Sequence, residues 1–221
     1  MVGRRFGVLR SIVLASASLA PPPALDSLAA ALAPHKAVVE CGGGGTCGPN
    51  SLGFALAHAR LHDGSGDDVR RRVVAHATKL VRSNAVWCGI EELSVRDVIE
   101  DSLSSWASPA SSVNRVGGAV NWGRLGHVID AGIWLKNMAC ENTWIDQAFL
   151  ALAADCFAVE IEYHVVSGTG AIGHTHVVKP REMVHVLARV ELAYVVDQHF
   201  CAIVPSEAGG GGEGGHMTIR R

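Results

Sequence analysis

The chain has 221 residues and a formal net charge of −2, and 48% of its residues are hydrophobic and 18% charged. This length suits one domain with a sizeable core, and the composition is typical of a globular protein rather than a disordered one. The nearly balanced charge and an aromatic content of 5% disfavour a nucleic-acid partner, because such partners require basic patches and stacking side chains.

The first 25 residues form a separate segment. They carry three arginines, contain no acidic residue before Asp26, and end near a run of three prolines. The pattern resembles a secretory or targeting leader, and a short terminal helix stopped by the prolines is the alternative. The apolar part is interrupted by Arg10 and is too short to cross a bilayer. We expect a cytoplasmic monomer without a membrane span, unless the leader directs it elsewhere.

Two helices are predicted after this segment. The first begins at Pro49 or Asn50, and its apolar positions recur at helical spacing. The second covers residues 67–84, with Arg70, Arg71 and Arg72 placed on the solvent side of the helix. The residues expected to face the core are Leu52, Ala55, Leu56 and Ala59 in the first helix, and Val69, Val73, Ala77 and Leu80 in the second.

Residues 86–126 are predicted to be an insertion. The stretch EELSVRDVIEDSLSSW within it has a helical pattern, and SPASSVNRVGGAVNWGRLG, which follows, is typical of a loop. The glycine-rich segment 207–221 is predicted to be a flexible tail.

The second half of the chain supplies the strands. A helix from about Ile145 to Cys156 is capped by Thr143 or Asp146. The alternating FAVEIEYHVV then predicts a half-buried strand, and SGTGAIG predicts a turn into HTHVV. VELAYVV and HFCAIVP complete the strands. Helices first and strands late predict an α+β domain over residues 26–206, with a small β-sheet packed between helices.

The stretch ECGGGGTCGPN places Cys47 directly before a predicted helix. Aligned peptide dipoles at a helix N-terminus stabilise a thiolate. The preceding glycines let backbone N–H groups approach a substrate carbonyl, which an oxyanion hole requires. Cys47 is therefore a candidate nucleophile, and a buried unreactive cysteine is the alternative.

A nucleophilic cysteine needs a histidine base, which lies near it in space rather than in sequence. His199 is the best candidate among eleven histidines, because it begins the apolar strand HFCAIVP. His174 and His176 are two apart on a predicted strand, but no third metal ligand accompanies them at a recognisable spacing. The other cysteines are too sparse for a disulfide scaffold and include no CxxC pair, so we expect mostly free thiols.

Three segments together resemble the ovarian-tumour (OTU) family of cysteine proteases, and the second contains the most specific motif: GGTCGPNSLGFALAH, WLKNMACENTWIDQAFLALAADCFAVEIEYH and ELAYVVDQHFCAIV. They occur in the family's order between about Val38 and Pro205. The resemblance implies a papain-like OTU fold and a deubiquitinase. Cys47 is then the nucleophile and His199 the general base, while Trp144 and Asp146 set the middle helix.

The implied reaction is hydrolysis of the peptide or isopeptide bond after the C-terminal glycine of ubiquitin or a ubiquitin-like modifier. It needs no metal or organic cofactor. The oxyanion would be held by backbone amides of the loop that contains Gly44, Gly45, Thr46 and Cys47.

The sequence departs from the family pattern at three positions. Gly44 stands where an acid often precedes the nucleophile, and Ile145 stands where glycine is usual in the middle motif. Cys201 stands where an acid or amide often follows the histidine. Asp197 would face the same side of an extended strand as His199 and is the candidate third member. A side chain on a neighbouring strand or a backbone carbonyl would serve equally well.

Two other functions remain open. A non-catalytic relative that binds ubiquitin-like proteins would account for the missing acids. Another papain-like peptidase, of the bacteriocin-processing type, would account for TCGPNSL and for a secretory leader, although the middle motif disfavours it.

Overall fold

A computed structural model describes the chain over residues 23–42, 45–87, 93–106, 130–181, 185–195 and 199–206. The predicted leader up to residue 22, the predicted loop 108–126 and the predicted tail 207–221 lie outside these residues.

The helices of the described chain are α1 (Pro23–Leu32), α2 (Cys47–His58), α3 (Gly66–Arg82), α4 (Val95–Trp106), α5 (Ala131–Met138) and α6 (Gln147–Phe157). The strands are β1 (Lys36–Glu40), β2 (Val159–Val166), β3 (Ile172–Val178), β4 (Ala188–Val195) and β5 (His199–Pro205).

The strands form one five-stranded mixed sheet in the order β1-β5-β4-β2-β3. β2 and β4 are parallel, and the other neighbours are antiparallel. The turn predicted in SGTGAIG joins β2 to β3. The first strand, β1, therefore lies beside the last strand, β5.

Two hydrophobic clusters cover the two faces of the sheet. Ala24, Leu25 and Leu28 of α1 pack on one face, against β4 and β5 residues that include Ala193 and Ile203. The other face carries the larger cluster, to which α2, α3, α4, α5 and α6 all contribute. The predicted α+β class, with a small sheet between helices, is confirmed.

The helical and strand periodicities place most of the predicted core residues correctly, although Ala59 at the end of α2 is only half-buried. Val69, Val73 and Ala77 of α3 are fully buried, and so are Val159 and Ile161 of β2. α2 begins at Cys47, before the predicted start at Pro49 or Asn50. The segment predicted to be an insertion contributes Val95 and Ile99 of α4 to the larger cluster. The expected boundary between residues 25 and 26 falls within α1.

The prediction for Arg70 is wrong. Arg71 and Arg72 are exposed as expected, but the Arg70 residue is only 3% exposed. Its guanidinium is buried because main-chain carbonyl groups of two loops surround it, which the helical pattern of α3 alone could not indicate.

Within the described ranges, no helix combines the length and the apolar character that crossing a membrane would require.

Candidate active site

Cys47 is the first residue of α2, and the chain enters the helix through a tight turn. Gly45 has a φ of 90°, a conformation that favours glycine. A Cβ atom at this position would also overlap the main chain of Asn142. Glycine is therefore required here because the loop before α2 lies directly against the loop before α6.

The N-terminus of α2 is attached to the start of β5. The Phe200 N–H donates to Cys47 Sγ at 3.5 Å, and Ser51 Oγ, one helical turn further on, donates to the Phe200 carbonyl at 3.0 Å. The β1–β5 pairing ends at Glu40 and Cys201. The main-chain N–H and carbonyl of Phe200, the residue before Cys201, therefore form hydrogen bonds with α2 instead of with β1. Bond lengths then place Cys47 Sγ at most about 6.4 Å from the Cα of His199.

His199 is the first residue of β5, as predicted. Its side chain is 12% exposed, and its Nε2 atom is buried without a hydrogen-bond partner. Among the described residues, the carboxylate of Glu40 lies close to this nitrogen, with its Oε1 atom 3.9 Å from Nε2. The structure thus brings the predicted nucleophile and the predicted base to the same end of the sheet, beside a carboxylate that the sequence patterns did not single out.

Burial sets the protonation states of both groups. It raises the pKa of the Cys47 thiol, although hydrogen bonds from the Phe200 and Gly48 N–H groups and the charge of Arg70 act in the opposite direction. It lowers the pKa of His199, against the charge of Glu40. The helix N-terminus expected for Cys47 is present, but burial outweighs its effect, and both groups are neutral at pH 7.

Arg70 connects the loops around the site. Its guanidinium donates to the carbonyl oxygens of Gly45 at 3.0 Å, Met138 at 3.0 Å and Thr143 at 2.7 Å. A planar group with five donors suits this role better than an ammonium. Arg70 therefore holds the turn before Cys47 against the segment that leads to α6.

Asp146 starts α6, as the resemblance implied. Its carboxylate accepts from the Phe149 N–H at 2.7 Å, which makes it the N-cap, and from Trp134 Nε1 at 2.7 Å. The residue is 4% exposed, and burial raises the pKa of this carboxyl against those two hydrogen bonds. Of the two caps predicted for α6, Asp146 is the one that the structure uses.

The unusual Ile145 packs against the start of α2. A Cβ atom at position 48 would overlap the side chain of Ile145 and would lie 3.4 Å from Phe200 Cδ2. Gly48 thus makes room for Ile145, which stands where the OTU pattern has glycine.

The remaining predicted positions have different outcomes. Gly44 and Asp197 lie outside the residues that the structure describes, so their roles stay predictions. Cys201 is fully buried, and burial raises the pKa of its thiol to about 12. It is therefore a neutral thiol that offers His199 no charge.

One group of side chains has the composition of a metal site. Glu162, His164 and Glu191 place one ligand atom each within 4.8 Å of one another. Glu191 already pairs with Lys36 at 2.6 Å, and Glu162 with Arg189 at 2.8 Å. Their charges are therefore compensated by side chains, and the group forms an ion-pair network. His174 and His176 lie on the exposed strand β3, outside this group.

No protein-family model and no curated protein sequence matches the chain. Solved OTU domains are similar to it in fold. The viral OTU protease from Dera Ghazi Khan virus has 9% identity and a TM-score of 0.49, with 78% of this chain and 83% of that chain covered. The Hazara virus OTU bound to ubiquitin has 12% identity and a TM-score of 0.47, with 77% and 82% covered.

A bacterial structure is similar to the same extent. The OTU deubiquitinase from Wolbachia pipientis wMel bound to ubiquitin has 12% identity and a TM-score of 0.48, with 77% of this chain and 96% of that chain covered.

Proposed function

We propose that the chain is a cysteine hydrolase in which Cys47 is the nucleophile and His199 the general base. The hydrogen bond from the Phe200 N–H to Cys47 Sγ is the observation that carries this proposal. It fixes a cysteine at a helix N-terminus beside the main chain of Phe200, the residue that follows His199. It also places Cys47 Sγ at most about 6.4 Å from the Cα of His199, and in the proposed reaction the two side chains come into contact to exchange a proton.

The reaction begins from the neutral pair. His199 takes the thiol proton as Cys47 Sγ attacks the substrate carbonyl carbon, and the amides around Gly45 and Thr46 hold the oxyanion. The tetrahedral intermediate breaks its C–N bond, and the imidazolium gives its proton to the leaving amine. Water then attacks the thioester while His199 accepts a proton from it. Release of the carboxylic acid product returns that proton to the Cys47 sulfur.

The proposed substrate is ubiquitin or a ubiquitin-like modifier, joined through its C-terminal glycine. This choice rests on the resemblance of the three segments around Cys47, Asp146 and His199 to the OTU proteases.

A second candidate function is supported by the burial of the nucleophile. Cys47 is only 1% exposed, and a modifier-binding protein without turnover would have no need of an accessible sulfur. The two functions make different predictions for covalent labelling.

The test is a ubiquitin probe with a thiol-reactive group at its C-terminus, incubated with the full chain and with the variants Cys47→Ala, His199→Ala and Cys140→Ala. We expect a covalent adduct that is lost in Cys47→Ala and slowed in His199→Ala. Cys140 is an exposed thiol, so Cys140→Ala controls for labelling of surface cysteines and should leave the adduct unchanged.

An adduct that survives in Cys47→Ala would reject the assignment of the nucleophile. A folded wild-type chain that binds plain ubiquitin but forms no adduct would instead support the second candidate. Failure of both binding and labelling would reject ubiquitin as the modifier and favour the other peptidase class.

A further inference from the structure

The position that usually supplies an acid to the base is occupied here by Cys201, but its neighbour on the adjacent strand is acidic. Glu40, the last residue of β1, pairs with Cys201 in the antiparallel register. Residues that pair across antiparallel strands share one face of the sheet, and residues two apart on one strand share it as well. Glu40, Cys201 and His199 therefore belong to the same face.

The side chains meet at a distance that needs only a small adjustment. Glu40 Oε1 is 3.9 Å from His199 Nε2, about 1 Å longer than a charge-assisted hydrogen bond. Catalytic hydrogen bonds are often long in the free enzyme and shorten when substrate binds. The Glu40 side chain is 49% exposed and that of His199 is 12% exposed, so the carboxylate has room to move toward the imidazole.

The other titratable groups near His199 offer it no charge. Cys47 on α2, Cys201 on β5 and Cys41 after β1 are thiols whose pKa values burial raises. Among the described residues, Glu40 alone exerts a charge interaction on His199. The unpaired Nε2 atom thus has one described anionic neighbour.

We propose that Glu40 is the positioning residue of His199. Its carboxylate accepts the Nε2–H of the imidazole, which leaves Nδ1 as the basic nitrogen and stabilises the imidazolium that forms during attack. The neighbouring strand thereby provides the acid that Cys201 lacks, and Asp197 is not required for this role. The assignment rests on the proposed function for its catalytic meaning, although the Glu40–His199 interaction exists independently of substrate.

The test compares Glu40→Gln, Glu40→Asp, Asp197→Asn and the control Glu160→Gln in the full chain. Glu160 is a strand carboxylate that pairs with Lys179 at 3.6 Å, so its variant removes a similar charge away from the site. Two measurements are made on each protein. The first is the NMR titration of His199, assigned by its loss in His199→Ala, and the second is kcat and KM on a fluorogenic ubiquitin substrate.

We expect Glu40→Gln to lower the pKa of His199 and to reduce kcat on the order of tenfold or more, with little change in KM. Compared with Glu40→Gln, Glu40→Asp should show a higher His199 pKa and a higher kcat, because it keeps the charge on a shorter side chain. Glu160→Gln should change neither. A purely structural role for Glu40 would not move the His199 titration in this way.

The proposal is overturned if Glu40→Gln leaves the His199 titration unchanged, or if Asp197→Asn produces the effects expected of Glu40→Gln. A wild-type chain that does not cleave ubiquitin would contradict the proposed function, and the NMR titration would still decide the Glu40 assignment. Thermal melting of each variant checks that the fold is intact, and Glu40→Asp provides the titration if Glu40→Gln is unfolded.

Discussion

Burial favours the neutral form of both Cys47 and His199. It disfavours the thiolate by raising the pKa of Cys47 and disfavours the imidazolium by lowering the pKa of His199. A preformed thiolate–imidazolium pair would need a lowered pKa for Cys47 and a raised pKa for His199. At the scale of the residue, Cys47 and His199 therefore rest as two neutral groups.

This protonation state predicts how Cys47 reacts with a small electrophile. Because its thiol pKa lies above the ordinary value of 9.0, alkylation by iodoacetamide should be slow at pH 7 and should rise steadily as the pH passes above 9. The measurement is mass spectrometry of the peptide that carries Cys47, after timed alkylation between pH 5 and pH 10. A rate that is already maximal at pH 6 would show an ion pair and contradict the expected order of pKa values.

At the scale of the element, two helices show how an N-cap depends on its surroundings. Asp130 caps α5 by accepting from the Gly132 N–H at 3.0 Å in an exposed position. Asp146 caps α6 in a buried position and also holds Trp134. Both carboxylates satisfy an unpaired N–H at a helix start. Asp130 also accepts from Arg96 of α4 at 3.1 Å, but this pair is exposed, whereas Asp146 holds a buried indole N–H.

The difference predicts unequal costs for the same substitution. Asp146→Ala should lower the free energy of unfolding by about 2–4 kcal/mol, because it removes the cap and leaves the Trp134 N–H buried without a partner. Asp130→Ala should cost only about 0.5–1 kcal/mol. The cost of Asp146→Asn should lie between these two values. Its amide oxygen keeps the cap, but the second oxygen, which accepts from Trp134 Nε1, is lost. Urea unfolding gives all three values, and equal costs for the two alanine variants would contradict this account.

At the scale of the whole molecule, the described chain has three layers, and α1 forms the layer on one face of the sheet. Leu28 of α1 is fully buried against β4 and β5. Leu56 of α2 is equally buried on the opposite face. The two leucines provide matched probes of the two layers.

If α1 is an integral layer, Leu28→Ala and Leu56→Ala should each lower the free energy of unfolding by about 2–4 kcal/mol through lost burial and the cavity left behind. Urea unfolding of the full chain measures both. A negligible cost at Leu28 beside a full cost at Leu56 would show that α1 is attached weakly to the rest of the domain.

Local patterns predicted the layers better than they predicted the site. The apolar spacing of α3 and the alternation of β2 indicate their buried faces directly, because each depends only on the period of its own element. Pro23 is the first residue of α1, where its missing N–H costs nothing.

The roles of Arg70 and Glu40 depend on contacts that no local pattern contains. Arg70 is buried because loops from distant parts of the chain present carbonyl groups to it. Glu40 reaches His199 because β1 pairs with β5 in one particular register. The sequence allowed for an orienting group on a neighbouring strand, but only the register identifies which residue it is.

The attachment of α2 to β5 also restricts how an extended peptide could approach the site. The N–H of Phe200 is already donated to Cys47, and its carbonyl already accepts from Ser51. A peptide therefore finds no open ladder position at Phe200 on the side of β5 that faces β1, and it cannot add to the sheet there as a further strand. An extended substrate would therefore have to be held by contacts other than a β-ladder at this position.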